Sequence, residues 1–246
     1  MSKLLRANCV RLFKNKIFYI GIFVQIFLTV FLITRLRNGF VIDGTLFSGS
    51  YASMLISAVF VPLFIGTEYS DQTIRNKIIS GHTRFDIYAA NYISAALGTF
   101  IICITPLMTA FIMALPFGGH FGSSPAEFAL YFTVLTAANA AMCGIYLILS
   151  MLVTSKANNV FITLQIWFYS SFATAYIEDL LKQPQIPDGA LRTILNFACS
   201  IIPIGQILHL GSDECRNAGL LPVYSLLVIA AVTGLGLLIF KRKDLK

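Results

Sequence analysis

The chain has 246 residues, of which 57% are hydrophobic and only 12% charged, against about 45–50% and about 25% in soluble domains. Uncharged runs of 18 residues or more recur along it, which excludes an ordinary water-soluble core and implies an all-α polytopic membrane protein in a single domain, 1–246. A net charge of +7 in a soluble protein would suggest nucleic acid. Here the basic residues flank apolar runs, where they set topology and touch anionic headgroups, so lipid is the expected partner and nucleic acid is not.

Residues 3–16 form a basic amphipathic pattern, with Leu5, Cys9, Leu12 and Phe13 on one helical face and Lys3, Arg11 and Lys14 opposite. Such a helix just before a span is expected to lie as an elbow in the headgroup layer. The first apolar run, 17–34, is of span length and lacks a small-residue cleavage site, so it is expected to remain in the chain. A loop with Arg35, Arg37 and Asp43 follows. The second span is expected at 51–66, with Pro62 as a kink.

Glu68 to Asp86 is the one internal segment where charge concentrates: Glu68, Asp71, Arg75, Lys77, Arg84 and Asp86. Asp71 can cap a short helix, Ile74, Ile78 and Ile79 share a face, and Gly81 suits a stop. Thr83 and Asp86 match a capping pattern opening the next helix. An amphipathic helix at the mouth between two spans serves either to lie in the lipid interface or to dock another protein.

The third apolar run, 87–115, is 29 residues long, more than the roughly 20 that a bilayer needs, so it tilts, kinks at Pro106 or projects. After a Gly-rich turn the fourth span runs 128–153, with small-residue steps at Ala137, Ala140, Ala141 and Gly144 suited to close helix contact. The fifth is expected at 160–177 and the last at 220–240. Between them, 193–212 is uncharged and broken by Pro203 and Gly205. It reads as a seventh span or as a re-entrant hairpin. Basic clusters at both ends of the chain call for an even number of crossings, which favours six spans and the hairpin. Thirteen of the 18 Lys and Arg residues then fall on the inner side, with both termini cytoplasmic. Cys199 and Cys215 share one loop and read either as a disulfide or as free thiols. Cys103 and Cys143 read as small hydrophobes.

Glu68-Tyr69-Ser70-Asp71-Gln72-Thr73-Ile74-Arg75, followed by Ser80-Gly81-His82-Thr83-Arg84, resembles the E-Y-x-x-x-T-I-R … S/T-R stretch of type-2 ABC transporter permeases, whose fold is shared with ABCG-type exporters. Ile202-Pro203-Ile204-Gly205-Gln206-Ile207-Leu208 is similar to that family's N-P-L-x-x-L element, with Ile in place of Asn. The order of parts matches too: interfacial helix, six spans, a charged helix between spans two and three, and a hydrophobic hairpin before span six.

The resemblance implies that the charged helix is a coupling helix seated in a separate ATPase subunit. Glu68, Tyr69, Asp71, Thr73, Ile74, Arg75, Lys77, Ile78 and Arg84 would then form the contact, and Ile74, Ile78 and Ile79 would enter an apolar groove. It further implies two ATPase copies binding ATP and magnesium, a second permease half as homo- or heterodimer, and location in a bacterial plasma membrane. The small single-domain form resembles permeases that export, or confer immunity to, antimicrobial and amphipathic peptides.

The chemistry of the residues agrees with a subunit that is not itself an enzyme. The chain contains no Gly-Lys pair and hence no P-loop, and neither His-Glu-x-x-His nor Gly-x-Ser-x-Gly occurs. No cofactor or metal is expected in the chain itself. The spans lack an evident ionisable residue at depth, so energy is expected from outside them. Gln25, Asn139, Gln165 and Tyr169 are candidates to line a path for an amphipathic substrate. A peptide-binding membrane sensor or immunity scaffold that moves nothing is the alternative, and an integral-membrane enzyme a weaker third.

Overall fold

A computed structural model describes residues 1–36, 39–70, 73–153, 155–182, 189–211 and 218–242, with helices throughout. They are α1 (Ser2–Lys14), α2 (Lys16–Arg35), α3 (Ile42–Ser70), α4 (Thr73–Ile79), α5 (Arg84–Phe117), α6 (Pro125–Leu152), α7 (Lys156–Lys182), α8 (Ala190–Ile201), α9 (Pro203–Leu210) and α10 (Leu221–Arg242). Among the described residues, six helices are long and apolar enough to cross a membrane: α2, α3, α5, α6, α7 and the helical stretch ending in α10. The chain is therefore a multi-pass membrane protein. The longest, α5, has 34 residues, roughly 50 Å at helical rise, and exceeds a hydrocarbon core of about 30 Å.

The bundle is built around α3. It packs against α2, α5, α6 and α7. Two thirds of its apolar window is buried within the chain, 67% against 17% for α10. That difference marks α3 as the core and α10 as a peripheral helix. Several polar groups tie α3 to helix carbonyls or to neighbouring helices. Ser53 donates to Ser50 O at 2.7 Å and to Asn139 Oδ1 of α6 at 2.8 Å. Tyr146 of α6 donates to Met54 O at 3.2 Å, and Thr163 of α7 to Ala58 O at 2.6 Å. With no water in a hydrocarbon layer, such donors hold helices together because a lost partner has no replacement.

Small residues set the closest approaches. A side chain at Gly49 would meet Pro106 Cβ of α5 at 2.4 Å, and one at Gly144 would meet Val232 of α10 at 3.2 Å. The expected small-residue step of the fourth span thus receives a neighbouring helix. Pro106 lies inside a continuous α5. There the proline packs against the bare backbone of Gly49.

Two span ends differ from the sequence expectation because a charge read as loop is satisfied within the fold, and one helix face differs for the same reason. The second span begins at Ile42 instead of 51, because Asp43 is buried and its Oδ2 accepts Gly122 N at 3.0 Å and Ser123 N at 2.7 Å. The same connection is tied by Ile42 N donating to His120 O at 2.9 Å and His120 N to Phe40 O at 3.1 Å. The fifth span extends to Lys182 because Glu178 is buried against His209 Nδ1 at 2.7 Å. At the amino end, α1 turns Leu4, Asn8 and Leu12 inward. Phe13 is exposed, and Arg11 points to the interior. The expected faces are therefore rotated, since a distant acid claims Arg11.

α8 and α9 meet at 112°, and α9 packs against α6, α7 and α8. Gln206 Nε2 donates to Ser200 O at 2.8 Å, and Ser225 of α10 donates to Gln206 Oε1 at 2.7 Å. Cys199 is a buried free thiol, and Cys215 lies outside the described residues. Gly205 lets α9 fold back over α8: a Cβ there would meet Cys199 O at 2.4 Å and Thr174 Cγ2 at 2.9 Å. A backbone carbonyl cannot step aside as a side chain does. Gly205→Ala is expected to lower stability by about 1–3 kcal/mol through overpacking, whereas Gly219→Ala, with open space around it, should change little. Thermal unfolding of both variants in detergent checks this.

Candidate functional site

The charge-rich connection between the second and third spans folds as expected in outline. Thr73 opens α4 and its hydroxyl donates to Glu68 O of α3 at 3.0 Å. Gly81, at φ +87°, ends it. Gly81 N donates to Ile78 O at 3.0 Å and His82 N to Lys77 O at 3.2 Å, the paired bonds of a left-handed helix stop. Thr83 then caps α5, its Oγ1 accepting from Asp86 N at 3.1 Å. Asp71, the expected cap of α4, lies outside the described residues. Of Tyr69 only its helical backbone is described.

At the centre of this corner is Glu68, 1% exposed. Its Oε1 receives Lys77 Nζ of α4 at 2.5 Å and the Arg11 guanidinium of α1. Its Oε2 receives Asn91 Nδ2 of α5 at 2.7 Å. Asn8 Nδ2 of α1 donates to Asn91 Oδ1 at 2.6 Å, and Lys77 Nζ donates to Asn8 Oδ1 at 3.1 Å. Glu68, Lys77, Asn8 and Asn91 thus close a hydrogen-bonded ring with one member on each of four helices. Arg11 joins it from the side and lies 4.1 Å over the Phe64 ring, where an aromatic face favours a cation. One carboxylate facing two cations leaves a local excess of positive charge. Charge-assisted bonds of this kind are about twice as strong as neutral ones.

This arrangement reassigns several of the expected contact residues. Glu68 and Lys77 face the chain's own interior, and so does Ile74, which is 2% exposed. Ile78 packs partly against the core. The expected apolar face of Ile74, Ile78 and Ile79 is therefore split: the first two hold α4 down, and Ile79, 74% exposed, points out with Arg75 and Asn76. The helix turns its most apolar positions to the bundle because it has only seven residues and needs tertiary contacts to persist. Arg84 is also inward. It donates to Phe240 O at 2.5 Å and lies over the Phe240 ring, tying the start of α5 to the end of α10.

The four candidate path residues do not converge. Gln25 is buried and donates to Gly49 O at 3.0 Å. Asn139 is buried, accepting from Ser53 and donating to Leu135 O at 3.0 Å. Both join helices inside one chain. Gln165 is half-buried and Tyr169, 70% exposed, stands on the outer face of α7. Among the described residues no three His, Cys, Asp or Glu side chains converge as a metal-binding set.

Asn8 and Asn91 belong to the site and were not singled out from the sequence, and Arg11, which joins them, was placed on the polar face of its helix. A signal existed for Asn8, which falls at i+4 from Leu4 and i−4 from Leu12 on an otherwise apolar stripe. Glu68, ending a long uncharged run, also called for a partner. No protein-family model matches the chain, and no curated protein matches it. What the six long apolar helices define is the class, a helical multi-pass membrane protein.

Removing the carboxylate strands two cations at the protein interior. Glu68→Ala is expected to destabilise by about 3 kcal/mol, the low end for a broken buried pair because Arg11 and Lys77 keep some solvent. In a chain of this size that is a fall in Tm of roughly 10 °C. Asn91→Leu should cost about 1–3 kcal/mol. A double-mutant cycle of Glu68→Ala with Lys77→Met, read by thermal or denaturant unfolding, should return a coupling of about 1 kcal/mol or more. Additive effects would mean that the pair contributes nothing.

Proposed function

We propose that the chain is the membrane-spanning subunit of an ATP-driven exporter of the type-2 ABC permease class. In this reading two six-span halves, identical or not, sit over two ATPase subunits that bind ATP and magnesium. The termini and α4 face the cytoplasm, in keeping with the excess of Lys and Arg on that side. α1 lies in the interface, and the bent α8–α9 pair dips into the opposite leaflet without crossing. The cargo class is an amphipathic or antimicrobial peptide or a lipid-like molecule, and the membrane a bacterial plasma membrane.

One observation carries the reading. The short helix between the second and third spans is braced from beneath by Glu68, Asn8, Asn91 and Arg11 while Arg75, Asn76 and Ile79 stay exposed. A helix whose role is only to connect two spans needs no buried ion pair. One that transmits force does, because a push on its exposed face must move α1, α3 and α5 as a unit and not bend α4 alone. The exposed Ile79, flanked by Arg75, suits a partner cleft with an apolar floor and an acidic rim.

The division of labour yields a test. With a Walker-motif ATPase encoded beside it, Ile79→Asp and Arg75→Glu should weaken co-purification at least about tenfold, equivalent to 1.4 kcal/mol, with Tm unchanged. Glu68→Ala should lower Tm as well. ATP-dependent uptake of labelled peptide into inside-out vesicles should require the pair. Peptide binding without ATP-dependent uptake would instead support a sensor, and an unchanged ATPase complex in both surface variants would sink the coupling role of α4.

A further inference from the structure

The first 42 residues contain no Asp or Glu, and of their basic side chains Arg11 is taken up by Glu68. Lys3, Arg6, Lys14 and Lys16 are exposed. Lys14 and Lys16 have no ion-pair partner among the described residues. Both sit at the corner where α1 meets α2. The corner is stiff, because Asn15 Oδ1 caps α2 by accepting Ile17 N at 2.8 Å and Tyr19 OH donates to Phe13 O at 2.9 Å.

Directly below this cationic corner lies a cavity of about 220 Å³ between α2 and α3. Ile17, Ile20, Gly21 and Val24 of α2 form one wall, and Leu55 and Val59 are part of the other. No polar residue lines it. Gly21 draws the two helices together at the floor, where a Cβ would meet Ile56 at 3.1 Å. From Ile17 to Val24 the groove runs roughly 10 Å along the helix, most of the depth of one leaflet at about 15 Å. Lys16 stands one turn before Ile20, on the same flank.

We infer that this groove and its basic corner form a binding site for one anionic phospholipid, with an acyl chain between α2 and α3 and the phosphate held by Lys14 and Lys16. Charge complementarity selects the occupant. A zwitterionic lipid would leave both ammonium groups without a net counter-charge, and a second copy of this chain would bring its own basic corner to a site with no acid to meet it. The site stands apart from the ATPase contact and holds whether or not that contact exists.

A reporter Ile20→Trp in a Trp167→Phe chain, reconstituted in vesicles of equal phosphatidylglycerol and phosphatidylcholine, reads the occupant directly when one lipid carries brominated chains. Brominated phosphatidylglycerol should quench as if favoured by about fivefold per lysine, the usual gain for a basic residue at an anionic surface. Lys14→Gln with Lys16→Gln should bring the preference to about one, and an Ile112→Trp reporter on exposed α5 should show no preference. In native mass spectrometry the chain with no reporter should retain phosphatidylglycerol and lose it in the double lysine variant, which alters only exposed side chains. Equal quenching by both lipids would reduce the groove to ordinary boundary lipid. Absence of quenching by either would mean that protein covers it. Either result overturns the site.

Discussion

A carboxylate at the end of an apolar helix is the constraint around which one half of this protein, the half at the α3–α4 junction, is arranged. Glu68 terminates the buried face of α3 and has no route to water. An unpaired charge there would cost several kcal/mol, so donors must converge from elsewhere. They come from α4 and α5, which follow in the chain, and from the distant α1. Once Arg11, Lys77 and Asn91 are in place, the positions of three helices relative to the fourth are no longer independent. Asn8 removes the remaining freedom by linking Lys77 to Asn91. Buried pairs contribute little net stability over apolar packing. Their effect here is to select one relative placement of four helices, since any slippage leaves a charge unmet.

The opposite half is held differently. Asp43 accepts two backbone N–H groups of the turn after α5, and paired backbone bonds join Phe40 and Ile42 to His120. Further round, Glu178 meets His209 and the Gln206 amide bridges α8 to α10. These are local ties between a helix end and an adjacent connection. None of them spans four helices as the Glu68 ring does. A displacement of the Glu68 corner would therefore be passed to that half along the helices α3 and α5 themselves, which approach closely where Pro106 seats on Gly49.

Six spans and their order were legible from hydropathy because long uncharged runs have few alternatives. Two of the ends were not, and for one reason: Asp43 and Glu178 count as loop in any composition window, while the fold satisfies Asp43 with backbone donors and Glu178 with a histidine. Glu68 and Lys77 were visible as charges at a span boundary, and Thr73, Gly81 and Thr83 as turn chemistry that acts locally and so can be read locally. Their direction was hidden. A helical wheel assigns Arg11 and Lys77 to solvent because it cannot see an acid that tertiary folding will bring beneath them. The same blindness put Ile74 on an outward face. Gln25 and Asn139 were legible as polar residues within spans, yet polarity alone does not separate a lining residue from one that satisfies a neighbouring carbonyl.

α1 joins two otherwise separate regions of the molecule. Its inner face supplies Asn8 and Arg11 to the Glu68 ring, and its outer face carries Lys3, Arg6 and Lys14 above a groove of the membrane core. A rigid helix cannot satisfy one face without positioning the other. If α1 moved away from the bundle, Arg11 and Asn8 would be withdrawn from Glu68 and the brace beneath α4 would lose two of its four partners. In the proposed site, anionic lipid at Lys14 and Lys16 would hold the α1–α2 corner by the same kind of Coulombic attraction that acts in the ring, and at an interface that attraction weakens with salt over a Debye length of about 8 Å. The buried ring is screened far less. Lipid charge and ionic strength should therefore act on how firmly α4 is held while leaving its internal bonds intact, so the stiffness of the exposed Arg75–Ile79 face is a property of the chain and its leaflet together.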